Sequence, residues 1–170
     1  KDASEEAKLK AQNEDIKKVL PEYDELAESY KVPVETGEDS LLFFPAYQDG
    51  ELVGVAVRTY TNNGFSGYIS IMVGINQSGN FTGYEVLEHA ETPGLGSKMD
   101  EWFKNPEEPD QYVIGKNPEA VDFEVSKDGG DIDAITASTI TSRAFLDALV
   151  KAWNAYDEHT VEATPGTSGI

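Results

Sequence analysis

The 170-residue chain contains no cysteine. Disulfides, thiolate nucleophiles, zinc fingers and cysteine-ligated iron–sulfur clusters are thereby excluded. Any redox chemistry is therefore borrowed from a cofactor. Basic residues are scarce as well: 13 Lys and Arg stand against 32 Asp and Glu, giving a formal net charge of -19 and a sequence pI near 4.2. Such a chain repels phosphate backbones and anionic lipid heads, which argues against nucleic acid as a partner and against polybasic membrane docking. Long apolar runs are missing too. The strongest candidates, Leu41-Leu42-Phe43-Phe44 and residues 69–75, fall well short of the roughly 18 residues that cross a bilayer. Histidine is limited to His89 and His159, so a Ser or Thr nucleophile has no evident base. The chain opens at Lys1 with neither Met nor an apolar leader, as expected of a processed product or a trimmed segment.

What is present is globular. A hydrophobic content of 39% with 10% aromatics supports a core, and the length suits one domain. Residues 2–20, rich in Ala, Glu and Lys with Asp2 and Glu5 at capping-box spacing, predict an exposed helix. Pro21 interrupts it, and Tyr23, Leu26, Ala27 and Tyr30 at helical spacing predict a second short helix ending before Pro33. From Leu41 the period changes to two. Runs at 41–47, 52–60, 68–75 and 81–87, with turn signals at Gln48-Asp49-Gly50-Glu51 and Asn76-Gln77-Ser78-Gly79, predict four sequential antiparallel strands in a meander. Gly54, Gly74 and Gly83 fall inside those strands, where a missing side chain admits a ligand, a backbone or a packed helix. Ile140, Ala144, Ala148, Leu149, Ala152, Trp153 and Tyr156 form one apolar stripe, with Arg143, Asp147 and Lys151 outside it. The predicted class is α+β: an antiparallel sheet packed by a C-terminal amphipathic helix, with N-terminal helices. The organisation reads as a helical stalk over 1–33, the domain proper over 34–157 and a disordered tail over 158–170.

Several polar motifs read as structure. Asp128-Gly129-Gly130-Asp131-Ile132-Asp133 lacks the twelve-residue spacing and closing Glu of an EF-hand and reads as a solvated turn. His89 and Glu91, alternate on one strand, are too few ligands for a metal site. The sequons at Asn76 and Asn80 belong to a turn and carry no functional weight.

Two loops carry chemistry. Glu91-Thr92-Pro93-Gly94-Leu95-Gly96 follows a strand and precedes a short helical pattern at 97–103. Pro93 and Gly94 suit a type II turn, whose bare backbone around Leu95 offers hydrogen bonds and an apolar face to a flat heteroaromatic ring. The bland alternative is an ordinary Pro-Gly turn. The second loop runs from Asp133 to Ser142 and enters the last helix with five hydroxyls in seven residues: Thr136, Ser138, Thr139, Thr141 and Ser142. One cap needs only one hydroxyl. Five at a positive helix end form a phosphate cradle.

These two motifs in this order resemble the FMN-binding domain found in the G subunit of the Rnf electron-transport complex, a family related to the C subunit of the sodium-translocating NADH:quinone reductase. The likeness spans roughly 41–156. It implies FMN joined through its phosphate to a Thr hydroxyl by a separate flavin transferase, which reads an Asp-x-x-(Ser/Thr)-Gly-Ala-Thr run. Position by position, Asp133 is then the recognition acid, Thr136 the first hydroxyl and Thr139 the covalent acceptor, with Ser138 beside it and Thr141 next in line. Ala137-Ser138 stand where the family prefers Gly-Ala. Glu91, Thr92 and Leu95 would line the isoalloxazine ring, Gly94 and Gly96 would keep the loop backbone open, and Tyr68 would form another wall. A Leu-Trp pair typical of the quinone-reductase relatives is absent at Tyr68-Ile69, which favours Rnf. The resemblance further implies an electron relay between ferredoxin and NAD coupled to ion transport, without independent substrate turnover. Its partners would be the other subunits of the complex. It would lie on the extracytoplasmic (periplasmic) face of the bacterial inner membrane, held by an N-terminal anchor absent from this chain. The rival readings are the quinone-reductase counterpart and a cofactor-free extracytoplasmic binding module.

Overall fold

A computed structural model describes residues 3–35 and 39–159. Within them a period of two builds one sheet and a period of 3.6 builds the helix that covers it. The N-terminal helix, α1 (Ala3–Val19), carries Glu5 and Glu6 in its first turn and Lys17 and Lys18 in its last, which complements the helix dipole. Only its C-terminal part is buried, through Ile16 and Val19. The predicted Asp2 cap lies outside the described residues.

The second helix expected from Tyr23, Leu26, Ala27 and Tyr30 is not formed. That segment is extended and supplies two short strands, β1 (Glu25–Leu26) and β2 (Tyr30–Val32), both antiparallel to β3 (Leu41–Gln48). The physical reason is the open edge of β3. The Asp24 and Ala27 amides donate to the Tyr47 and Pro45 carbonyls at 2.9 Å, bonds that a helix of under three turns could not match. Tyr30 also packs its ring on Phe43, with centroids 5.6 Å apart.

The meander is as read, with its strands running to or slightly past the expected ends: β3, then β4 (Glu51–Gly64), β5 (Gly67–Asn76) and β6 (Phe81–Glu88), in the order β1-β3-β4-β5-β6 with β2 also on β3. Asp49 and Gly50, at φ 52° and 81°, make the tight turn that fixes the β3–β4 register, with Gln48 opposite Glu51. A short α2 (Met99–Trp102) follows the Pro-Gly loop, and α3 (Thr139–Glu158) closes the fold.

Alternation along the strands builds two cores. Phe43, Val57, Ile71 and Val73 join Phe145, Leu149 and Ala152 of α3, while Phe44, Ala56 and Met72 pack with Ile16, Val19 and Leu20 at the end of α1. Phe145 anchors the first: its ring stacks on Phe103 at 4.5 Å and meets Tyr84 edge-on at 4.8 Å. Polar bonds index α3 along the sheet. Thr59 donates to the Ala148 carbonyl at 3.0 Å, and Trp153 Nε1 donates to the Gly79 carbonyl at 2.8 Å. Ile140 departs from its expected place in the stripe. It is 48% exposed at the open end of α3, where no strand faces it.

Two of the strand glycines, Gly74 and Gly83, are explained by a helix end, and Gly54 by the neighbouring Ile75 carbonyl and the Leu20 side chain. A methyl on Gly74 would overlap the Val19 carbonyl oxygen, which itself accepts the Thr82 hydroxyl at 2.5 Å. Gly74→Ala is therefore expected to lower unfolding stability by about 2 to 3 kcal/mol in urea. Denaturation followed by circular dichroism checks it, and an unchanged midpoint would show that α1 shifts freely on the sheet.

Candidate functional site

Packing α3 on the sheet brings its N-terminal end against two loops distant in sequence. The first is the β4–β5 turn, which carries Phe65 and Ser66. The second is the loop after β6. There the Leu95 amide donates to the Thr92 carbonyl at 3.0 Å and Gly94 takes φ 77°, the positive value that the third position of a type II turn requires. The Gly94 amide donates to Ser97 Oγ at 3.0 Å, and the Glu91 amide to His89 Nδ1 at 3.0 Å, so this loop is braced on both sides.

Between these segments lies a groove of about 430 Å3, lined by Phe65, Thr92, Leu95, Gly96, Ala137, Ser138, Thr139, Ile140 and Thr141. Its volume falls in the usual range for small-molecule sites. Phe65, Leu95 and Ile140 are three of the few large hydrophobic side chains left exposed among the described residues, and all three face this one feature. The charge distribution is equally uneven: no Asp, Glu, Lys or Arg occurs from residue 59 to 84, nor from 134 to 142. On a chain of net charge -19, the groove is walled by neutral segments.

Beneath the wall lies Glu91, 4% exposed. Its Oε1 accepts the Phe65 amide at 2.9 Å and the Thr141 hydroxyl at 2.5 Å, and its Oε2 accepts the Ser66 amide at 2.8 Å. Gly96 is required just there, since a methyl would lie 2.6 Å from Thr141 Oγ1 and 2.9 Å from the Glu91 Cβ.

The hydroxyl run divides by use. Ser142 Oγ donates to the Ser138 carbonyl and accepts the Ile135 amide, each at 2.9 Å, and Thr141 is committed to Glu91. Ser138 occupies the N-cap of α3 but makes no side-chain cap bond, so the first-turn amides are not closed off by it. Thr139, half-buried, opens onto the groove. Of the residues singled out from sequence, Thr92, Leu95, Gly96, Ser138, Thr139 and Thr141 thus converge on one groove, with Glu91 directly beneath. Four others lie off its walls. Gly94 shapes the turn, and Thr136 is exposed on the approach to α3. Tyr68 is 44% exposed and stacks on Tyr60 at 6.2 Å. Asp133 Oδ1 accepts the Ser126 hydroxyl at 2.9 Å, while its carbonyl accepts Trp102 Nε1 at 2.9 Å. Nearby, a bidentate bond from Arg143 holds the exposed Asp128 carboxyl below its ordinary range and ties residues 126–128 to the first turns of α3.

A family profile described as "FMN-binding domain" matches residues 64–154, which runs from the end of β4 through most of α3. The chain belongs to this FMN-binding domain family. It is also similar to proteins named as the G subunit of an ion-translocating oxidoreductase complex. The relative in Vibrio cholerae is 38% identical over 120 residues, 67% of this chain and 54% of that protein. Those in Shewanella oneidensis and Aliivibrio fischeri are 34% identical over 127 residues and 35% over 132, each covering 74% of this chain and 59% and 60% of theirs. This chain therefore spans little more than half the length of these relatives. The resemblance read from the two loop motifs is thus borne out.

The groove suits the flavin that the family name implies. Leu95, Ile140 and Phe65 give apolar surface for a flat ring, and the α3 N-terminus with its hydroxyls gives a place for a phosphate. Sequence reasoning missed Phe65 and Ile140. The available signal for Phe65 was a lone aromatic between Gly64 and Gly67, in a turn where an apolar side chain has no core to enter.

Ala137 completes the site. The Ser138 amide donates to the Ile135 carbonyl at 3.0 Å, closing a turn in which Ala137 takes φ 64°. A left-handed Ala costs about 1 kcal/mol relative to Gly. Ala137→Gly is accordingly expected to raise unfolding stability by about 1 kcal/mol in urea. A decrease would mean that the chain entropy of Gly outweighs the relieved strain.

Proposed function

We propose that this chain is the flavin-carrying domain of the electron-transferring G subunit in an Rnf-type ion-translocating oxidoreductase complex, with FMN held covalently by a phosphoester to Thr139. Family membership supports the flavin, and the likeness to the G-subunit relatives supports the complex. The observation that supports the attachment residue is the division of hydroxyls at the start of α3: Thr141 and Ser142 are spent on Glu91, Ser138 and Ile135, which leaves Thr139, with Ser138 beside it, facing the groove.

In this reading the α3 N-terminus and Ser138 receive the phosphate, and Thr92, Leu95, Ile140 and Phe65 border the ring. The bound flavin supplies one- and two-electron chemistry. The chain supplies position and a neutral, largely apolar wall. A covalent phosphoester also fits a chain of charge -19, because retention of an anionic cofactor then does not depend on electrostatic attraction. Maturation falls to a separate flavin transferase that reads Asp133, Thr136 and Thr139, since no His, Lys or carboxylate is among the residues that line the groove with Thr139. The acidic turn at Asp133 is exposed and open to such an enzyme. We place the domain on the extracytoplasmic side of the inner membrane, with 34–157 as the flavin-binding domain and 1–33 as a stalk. Among the described residues no helix is long and apolar enough to cross a membrane. Its role in the complex is passage of electrons between ferredoxin and NAD through the other subunits.

Co-expression with a flavin transferase tests the reading by intact mass and visible spectrum. Wild type is expected to gain the mass of one FMN less water and to keep flavin absorbance after denaturation. Thr139→Ala should lose both and Thr139→Ser should retain them. A gain that persists in Thr139→Ala would move the linkage to another hydroxyl, and no gain in any form would favour a cofactor-free binding module.

A further inference from the structure

Glu91 is unusual among the carboxylates of this chain. It is almost fully buried, and the partners of its carboxylate oxygens are two backbone amides and a hydroxyl, with no Lys, Arg or His among them. Those partners come from separate places: Phe65 and Ser66 from the β4–β5 turn and Thr141 from the first turn of α3. One side chain thus ties a hairpin tip to a helix end, with the groove between them. Phe65 hangs on this tie. Its backbone amide is fixed by Glu91 while its ring, 67% exposed, lines the groove and has no core to hold it. The turn lies between Gly64 and Gly67, just past a register irregularity of β4 and β5 at 61–64, so the ladder on this side is interrupted before it reaches Phe65.

We propose that Glu91 is a positioning residue: its carboxylate clamps the β4–β5 turn to the α3 end, and the clamp holds Phe65 as the outer wall over the flavin ring. This deepens the flavin reading above and rests on it. Charge is what makes the clamp work. A carboxylate offers only acceptors, matching three donors aimed at it, and bonds from neutral donors to a charged acceptor are about twice as strong as neutral ones. Glutamine has the same shape but turns an NH2 toward one of those donors, so the turn loses part of its hold.

Amide hydrogen exchange on flavin-free protein tests the clamp directly. Glu91→Gln is expected to speed exchange at Phe65 and Ser66 by about tenfold or more, with Ile71 and Val73 on β5 unchanged as the check on folding. Acrylamide quenching of flavin fluorescence, with a neutral quencher suited to so acidic a chain, then tests the wall on flavin-loaded protein. Phe65→Ala is expected to raise the quenching constant roughly twofold, Glu91→Gln to do the same, and the double variant to rise no further, because both changes remove one wall. Additive effects in the double variant, or Phe65 and Ser66 amides as protected in Glu91→Gln as in wild type, would overturn the proposal. If wild type holds no flavin, the flavin reading fails, and the exchange result still decides the clamp.

Discussion

Because Phe145 stacks on Phe103 and meets Tyr84 edge-on while Thr59 holds the Ala148 carbonyl, α3 has one depth and one rotation against the sheet. The groove follows from that seat. Residues 64–66, 91–96 and 137–141 are far apart in sequence, and they become neighbours only when the start of α3 is set down beside the β4–β5 turn. A helix displaced by one turn, about 5.4 Å, would carry Thr139 and Thr141 away from Leu95 and Glu91 together. The aromatic packing at the centre of the domain therefore sets the register of chemistry at its end.

The same arrangement separates charge from chemistry. Acidic side chains cluster along α1, over 100–133 and near the end of α3, whereas the central hairpin and the entry to α3 carry none. The one carboxylate at the site is surrounded by donors rather than by a counter-cation. Its charge is spent on organising backbone, which leaves the groove surface neutral despite the acidity of the whole chain.

Much of the fold was readable because burial imposes a period. The four long strands and α3 each have an apolar face, and their patterns gave element type and nearly their ends. The misreadings lie where a period was short or a partner was distant. Tyr23, Leu26 and Tyr30 fit a helical spacing by coincidence over two turns, but the open edge of β3 offered backbone bonds that propensity does not weigh. Ile140 continued the α3 stripe on paper, although the sheet ends before reaching it. The two site loops were readable from their turn residues and hydroxyls. The role of Glu91 was not, since its partners are main-chain amides some 25 residues upstream, and main-chain amides look alike in every sequence.

The joint between α1 and the sheet has a mechanical meaning. The Val19 carbonyl rests on Gly74 and is held by Thr82, with Gly83 beneath the same residue, so backbone touches backbone without an intervening side chain. Around this direct contact the side chains of Ile16, Val19 and Leu20 pack on Phe44, Ala56 and Met72. The C-terminal end of α1 is thereby keyed to β5 and β6 through main chain, so a push on this helix end passes directly into the sheet.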